Sequence, residues 1–461
     1  MEHKLKLIKI IFLSFTAVFY SNANVVFAKK KPNVIVIYTD DQATLDVNIL
    51  GAKDLVTPNM DKLMLSGTTF TQFYASPVCS PSRASLLTGK TPQRAGVPGN
   101  AGQDLSRKSG LPPSEFTIAE MFKENGYNTY LIGKWHLGFQ PEMRPNQQGF
   151  DYSFGHLVGC IDNYSHFYYW GGDNNYVGGP NRHDLYRNNK EIFLDGQYFP
   201  DLMLQEAKQI IEKKSEDPFF IFFSMNTPHY PYQGYAKWIK YYREKGVKHP
   251  RDLYAAFLTT QDEKIGALIG LLEAHNLRED TIIIFQSDNG HSTETRAYHG
   301  GGYTGPYRGA KQCLFEGGIR VPAAISWPGK IPSNQFRDQM SVNVDWMPTL
   351  IDLCGFDTDT SNMDGKSLMP IILNKNAPSN HKAGYCWEFK WRNGLTWVAR
   401  KGKWKLYSNP FDTSRRDYTY SEDFVLFDLE SDPGESNNLY RREPDVVAEL
   451  KDLYKTWKSQ Q

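Results

Sequence analysis

Four short apolar segments, each followed directly by polar residues, constrain the fold of this chain more than any other feature. They run over residues 33–38, 128–132, 218–225 and 281–286. Their Val, Ile and Phe content predicts strands that are buried on both faces of a parallel sheet. Helical patterns near residues 117–125, 202–214 and 253–275 lie between them. Strands that alternate with helices indicate an α/β domain, with a large, mainly parallel sheet sandwiched by helices.

The residues that follow these segments carry the candidate chemistry. Thr39-Asp40-Asp41-Gln42 follows the first segment, GKWHLG (133–138) the second, NTPH (226–229) the third and SDNG (287–290) the fourth. In an open parallel sheet, ligands bind beyond the carboxyl ends of the strands. We therefore expect two Asp, a Lys-His pair, a lone His and an Asp-Asn pair to meet there and form a metal and anion site.

The last fifth of the chain has a different sequence pattern, in which short aromatic-rich segments replace the apolar runs. Short aromatic-rich segments at 385–389, 395–400, 403–407 and 425–428 predict a small antiparallel sheet, and the apolar spacing over 444–457 predicts a helix packed on it. A chain of 461 residues suits one large core with a smaller appendage. We predict a catalytic domain over 29–380 and a C-terminal subdomain over 381–461.

The amino terminus predicts export. Lys4, Lys6 and Lys9 flank the start of an apolar run that ends near Tyr20, and a cleavage-like Val-Phe-Ala sequence ends at Ala28. This pattern is typical of a secretory signal peptide, here residues 1–28. The run is shorter than the roughly 20 residues that a membrane-spanning helix needs. We expect a periplasmic or secreted protein with no membrane span.

Net charge and cysteine usage argue against a nucleic-acid-binding protein and against a disulfide-rich protein. The formal charge of +1 provides no overall field that would attract nucleic acid. The five cysteines, at 79, 160, 313, 354 and 386, are widely scattered, form no CxxC pair and are odd in number. This distribution argues against a dense disulfide framework and leaves at least one thiol for chemistry.

One of these thiols opens the sharpest motif in the chain. Cys79-Ser80-Pro81-Ser82-Arg83 is followed by LTG at 87–89, and GAKQ (309–312) and FEGGIRVP (315–322) come later. With TDDQ, GKWHLG and SDNG, these motifs resemble the formylglycine-dependent sulfatases of the alkaline phosphatase superfamily over nearly the whole mature chain. A helix expected to begin near Ser82 or Arg83 would direct its amino terminus, together with the Arg83 guanidinium, at an anion.

The resemblance implies a mechanism. A maturation enzyme would oxidise Cys79 to formylglycine, and a hydroxyl of the aldehyde hydrate would attack sulfur to give a covalent sulfoenzyme. Lys134 and Lys311 would bind sulfate, and His136 would abstract the proton that releases it. His229 would contact the substrate and act with Lys311 as general acid on the leaving oxygen.

The candidate metal ligands are all hard oxygen donors. Asp40, Asp41, Asp288 and Asn289 offer only carboxylate and amide oxygens, the set preferred by calcium or magnesium. Ligand type alone does not separate these two ions. The resemblance implies calcium, with residue 79 completing the coordination shell.

Several alternatives stay open at this point. The favoured substrate is a sulfated carbohydrate containing galactose or N-acetylgalactosamine. A formylglycine-dependent phosphonate or phosphate ester hydrolase and a catalytically inactive sugar-binding homologue are the competing interpretations. The segment DNYSHFYYW (162–170), in a long irregular region predicted over 155–189, suits either a sugar subsite or internal packing.

Overall fold

The computed structural model describes residues 31–102, 105, 108–169, 182–213, 215–391, 394–415 and 422–461. The predicted signal peptide and Trp170 lie outside this part of the chain. The strands are β1 Asn33–Thr39, β2 Thr68–Phe70, β3 Phe73–Tyr74, β4 Asn128–Lys134, β5 Tyr152–His156, β6 Tyr186–Arg187, β7 Lys190–Glu191, β8 Phe219–Ser224, β9 Thr281–Ser287, β10 Ala323–Ser326, β11 Gln335–Arg337, β12 Ser341–Val342, β13 Tyr385–Trp391, β14 Gly394–Lys401, β15 Trp404–Ser408 and β16 Phe424–Asp428. The helices are α1 Pro58–Leu65, α2 Cys79–Thr88, α3 Ile118–Glu124, α4 Phe199–Glu212, α5 Ala236–Glu244, α6 Arg251–Ala274, α7 Glu316–Ile319, α8 Trp346–Cys354, α9 Met369–Leu373 and α10 Pro444–Lys458.

The large sheet confirms the predicted α/β class. Its strand order is β11-β2-β10-β9-β1-β8-β4-β5-β6-β7. The central strands β9, β1, β8, β4 and β5 are parallel, whereas β10, β6 and β7 run antiparallel to a neighbour. Every residue of β1 is buried, which requires cover on both faces of the sheet. The four predicted apolar segments are four adjacent strands in this sheet.

Two groups of helices provide that cover. Helix α6 contacts α1, α4 and α5, while α2 contacts α3 and α8. Helix α3 begins at a capping box, in which the Glu120 amide donates to the Thr117 hydroxyl and the Thr117 amide donates to the Glu120 carboxylate. This reciprocal pair satisfies two amides that a helix start otherwise leaves unpaired.

The small sheet of the C-terminal region is also confirmed. Strands β13 to β16 pair antiparallel in chain order. One face packs against α10, and the other face packs through Tyr407 and Phe427 against Phe315, which directly precedes α7. Lys405 on β15 forms a buried ion pair of 2.7 Å with Glu316 on α7. The small sheet thus lies directly against the segment that carries α7.

Strand β5 was not predicted, and it lies at the start of the region predicted to be irregular. Its sequence YSFGH lacks the Val and Ile run of its neighbours. Gly155 permits the pairing with β4, because a Cβ there would lie 1.8 Å from the Gly133 carbonyl oxygen.

Among the described helices, none combines the length and apolar character needed to cross a bilayer.

Candidate active site

The acidic residues after β1 and β9 meet at the carboxyl end of the sheet. These strands are parallel neighbours, so Asp40-Asp41 and Asp288-Asn289 leave the sheet side by side. The Asp41 amide donates to Oδ1 of Asp288 at 3.1 Å, and Nδ2 of Asn289 donates to Oδ1 of Asp41 at 2.6 Å. All four residues are buried. The structure therefore brings together the acidic residues that sequence reasoning grouped.

Cys79 lies beside this group at the start of α2. The helix begins at Cys79 itself, so the predicted start near Ser82 or Arg83 was wrong by one turn. Pro81 occupies the first turn, where its missing amide costs nothing. The Cys79 thiol is 3.5 Å from Oδ1 of Asp40. Burial, followed by repulsion from Asp288, raises the pKa of the Cys79 thiol well above its usual value.

Arg83 on α2 contacts residues that lie at or just after the ends of three strands. Its side chain is fully buried, and Nη2 donates to Oδ2 of Asp288 at 3.0 Å. Nη1 donates to the Lys134 carbonyl at 3.1 Å and to the Ser224 hydroxyl at 2.6 Å. Both ends of the guanidinium fork thus contact protein groups. Nε has no hydrogen-bond partner among the described residues.

Two lysines pair with the carboxylates after β1. Nζ of Lys134 lies 2.6 Å from Oδ2 of Asp40. Nζ of Lys311 lies 2.6 Å from Oδ1 of Asp41 and 2.9 Å from Oδ2. With Arg83 and Asp288, three cationic side chains face three carboxylates in one buried cluster. A cluster of this kind can accept an anion because its cations are close and poorly hydrated.

Burial and neighbouring charges shift the pKa values of the three carboxyl groups. Burial and then the charge of Asp288 raise the pKa of Asp40 to about 8. Burial also raises the pKa of Asp41. Burial opposes ionisation of Asp288 as well, but Arg83 and Lys134 hold the pKa of that carboxyl below its usual range. Crowded, desolvated carboxylates favour an additional positive charge.

The two predicted histidines are both buried in this region. Nδ1 of His229 lies 2.7 Å from the Tyr230 carbonyl, so we assign the ring proton to Nδ1, and Nε2 then lies 3.5 Å from Oδ2 of Asp41. His136 has a φ of +56°, and neither ring nitrogen has a partner within the described residues. Burial, then Lys311 for His229 and Lys134 for His136, lowers both pKa values well below the usual range. Burial therefore favours the neutral form of each ring.

Sequence reasoning missed the residues that hold this site in place. The Ser80 hydroxyl donates to the His136 carbonyl at 2.6 Å, and the Thr413 hydroxyl donates to the Lys311 carbonyl at 2.7 Å. Ser224 contacts Arg83 as described above. Ser224 could have been noticed, because it ends an otherwise apolar strand. Thr413 lies 102 residues from Lys311, and nothing local marks it.

The buried acidic cluster contains a group of side chains that could hold a metal ion. Ligand atoms of Asp40, Asp41, Cys79 and His229 lie within 4.8 Å of one another. Oδ1 of Asn289 is buried and has no hydrogen-bond partner in the described part of the chain. Such an orphaned oxygen beside carboxylates is available to a metal ion. The geometry thus provides a possible buried, oxygen-rich metal site next to the thiol.

Comparison with known proteins assigns the family. The sequence pattern of the family described as Sulfatase matches residues 32–356, well over half of the chain. The chain belongs to the sulfatase family. A second pattern, described as N-sulphoglucosamine sulphohydrolase, C-terminal, matches residues 309–460 of this sulfatase.

Individual relatives agree with this assignment. N-acetylgalactosamine-6-sulfatase of Canis lupus familiaris is 32% identical over 370 residues, covering 75% of this sulfatase and 67% of that protein. Arylsulfatase A of Homo sapiens is 30% identical over 460 residues, covering 92% and 87%. The crystal structure of Ps i-CgsB in complex with k-i-k-neocarrahexaose superimposes with a TM-score of 0.81 at 27% identity, covering 93% of each chain. The protein is a sulfuric ester hydrolase.

Proposed function

We propose that this sulfatase removes sulfate from a sulfated carbohydrate, with residue 79, converted to formylglycine, as its nucleophile. The supporting observation is that Cys79 lies at the amino terminus of α2, 3.5 Å from Asp40, inside a buried cluster of acidic and basic side chains. A helix amino terminus and nearby cations stabilise a tetrahedral anion. No expected catalytic position carries a substituted residue, which favours an active enzyme over an inactive sugar-binding homologue.

We propose calcium as the cation. Asp40, Asp41, Asp288 and Asn289 would hold it with residue 79, because their donor atoms are hard oxygens. When bound, a divalent cation polarises sulfate oxygens and favours an ionised nucleophile. Asp41 also accepts from Lys311, so the cation and this ammonium group would share one carboxylate.

Two lysines are the candidates for sulfate binding. Lys134 and Lys311 each place an ammonium group within 2.6 Å of a proposed ligand carboxylate. A sulfate group bound in this cluster would lie within reach of both ammonium groups. These contacts offset the charge that develops on sulfate as the ester bond breaks.

Two histidines would handle protons on different sides of the cluster. His229 and Lys311 both approach Oδ2 of Asp41, so they would act together on the departing sugar oxygen, with the Lys311 ammonium group supplying the proton directly or through Nε2 of His229. His136 is buried next to the start of α2 and is fixed through the Ser80 hydroxyl. Its neutral ring can take up the proton whose removal frees sulfate from residue 79.

The proposed substrate contains galactose or N-acetylgalactosamine. Two relatives support this choice by what their names state: one is an N-acetylgalactosamine-6-sulfatase, and one was crystallised with a neocarrahexaose. Export to the periplasm or the medium, predicted from the first 28 residues, would give access to such polysaccharides.

Cys79→Ala tests the nucleophile. Turnover should fall to the background rate, because no nearby side chain replaces the nucleophile, while the thermal midpoint should change little. Mass spectrometry of the wild-type peptide containing residue 79 should show the aldehyde. Cys386→Ala is the matched control: that thiol is equally buried, but it packs between the small sheet and α10. Turnover by Cys79→Ala at the wild-type rate would overturn the assignment.

Parallel assays separate the competing functions. Aryl sulfate and aryl phosphonate esters of the same leaving group should be compared by kcat/KM, followed by defined galactose and N-acetylgalactosamine sulfates. A preference for the phosphonate would favour the phosphonate hydrolase. Binding of sulfated sugars without any turnover by formylglycine-containing protein would favour the inactive homologue.

A further inference from the structure

A pair of histidines lies outside the active-site cluster, between β5 and β6. His166 and His183 are held next to each other by backbone pairing, since Phe167 forms an antiparallel bridge with His183 and the Asp184 amide donates to the His166 carbonyl at 2.9 Å. Their ring centroids are 6.1 Å apart, and both side chains are buried. This arrangement is independent of Cys79 and of the residues around it.

In each ring, one nitrogen has a hydrogen-bond partner and the other has none among the described residues. Nε2 of His166 lies 3.0 Å from the Gln197 carbonyl, and Nδ1 of His183 lies 3.0 Å from Oε1 of Glu191. The opposite nitrogens, Nδ1 of His166 and Nε2 of His183, are buried and have no hydrogen-bond partner among the described residues. Acceptors on one side of each ring place the ring protons there. The open nitrogens then carry lone pairs, which is how metal-binding histidines are oriented by their outer partners.

A carboxylate completes the set. One nitrogen of each ring and one carboxylate oxygen of Asp195 lie within 4.8 Å of one another. We propose that His166, His183 and Asp195 bind a zinc-class transition-metal ion, with water as the fourth ligand. Bonds of about 2.0–2.1 Å in tetrahedral geometry require ligand separations of about 3.3 Å. Asp195 is exposed and can move inward to reach them.

Donor chemistry separates this site from the one near Cys79. Two imidazoles and a carboxylate suit zinc, whereas the cluster at the sheet end is dominated by oxygen donors. A bound ion would join Asp195 to the backbone-paired segments that carry His166 and His183. The same loop contains Asn163, whose Oδ1 accepts from Nδ2 of Asn226 at 2.8 Å, three residues before His229. The metal would therefore brace a loop that contacts the active-site region.

Calorimetric titration of zinc into tag-free, chelator-treated mature protein tests the proposal. Excess calcium should be present so that the oxygen-rich site is saturated. Asp195→Asn and His183→Gln should each weaken one zinc-binding event at least tenfold, and Glu191→Gln should weaken it about tenfold by removing an outer partner. His275→Ala removes a partly exposed histidine elsewhere and should leave binding unchanged.

Two further readouts make the outcome decisive. Zinc should raise the thermal midpoint of the wild type but not that of Asp195→Asn, which changes only an exposed side chain and should fold normally. Cobalt should give visible absorption typical of four-coordinate nitrogen and oxygen ligation in the wild type alone. Binding of no zinc by the wild type, or zinc affinity in both ligand variants within twofold of wild type, would overturn the proposal.

Discussion

Arg83→Met offers a quantitative test of how the active-site cluster is held together. The substitution removes a fully buried guanidinium that contacts Asp288 at 3.0 Å and donates to Lys134 and Ser224. Removing one partner of a buried ion pair costs about 3–5 kcal/mol, because the other charge stays desolvated. We expect a loss of this size in the free energy of unfolding. Urea titration followed by tryptophan fluorescence, with EDTA present throughout, measures it independently of catalysis.

Two comparisons identify the cause of the loss. Ser224→Ala removes one hydrogen bond to the same guanidinium but keeps the ion pair, so it should cost only about 1–2 kcal/mol. Adding Asp288→Asn to Arg83→Met removes the stranded carboxylate and should recover at least about 1 kcal/mol. If Arg83→Met lies within about 1 kcal/mol of wild type, or if the double variant recovers nothing, then a buried charge pair does not hold α2 against the sheet.

Three further predictions concern the sheet, pH and metal. Gly133→Ala should destabilise the protein by more than about 4 kcal/mol in the same urea assay, because its Cβ would lie 1.9 Å from the Ser224 carbonyl oxygen at a φ of +114°. Gly270→Ala, with open space around its Cβ, should be neutral or stabilising by up to about 1 kcal/mol. Burial raises the folded-state pKa of Asp262 to about 6, so between about pH 4 and pH 6 the folded state keeps a proton that the unfolded chain releases. As the pH rises through this range, the free energy of unfolding of the wild type should therefore decrease relative to that of Asp262→Asn, by up to roughly 3 kcal/mol. Parallel curves of stability against pH for the two proteins would contradict this. EDTA should abolish sulfate release in a coupled assay and calcium should restore it, whereas full activity after exhaustive chelation would exclude a required divalent ion.

The sequence predicted the centre of the fold because the relevant signal is local. An apolar run buried on both faces must lie inside a covered sheet, and the parallel direction of β1 and β9 then brings Asp40 and Asp288 to the same end. The juxtaposition of these residues follows from strand direction alone. The small C-terminal sheet was equally visible, since its strands are short, aromatic and separated by turns.

Other features depend on contacts that no local pattern contains. Strand β5 pairs closely with β4 because Gly155 has no Cβ to meet the Gly133 carbonyl, and a hydrophobicity pattern does not register that. The start of α2 at Cys79 was missed, because no capping side chain marks it: the residue before the helix is Val78, which forms no side-chain cap. The buried bond between Thr413 and Lys311 joins segments that become neighbours only when the small sheet packs on the large one.

The burial of Cys79 has a consequence for the proposed conversion of this residue to formylglycine. Its side chain is only 1% exposed, and the backbone around it is already committed to a helix. A second enzyme would need that segment extended and accessible in order to oxidise the thiol. Under the proposed conversion of Cys79 to formylglycine, oxidation of this thiol would therefore have to precede folding of the segment, and protein that folded first would keep the thiol.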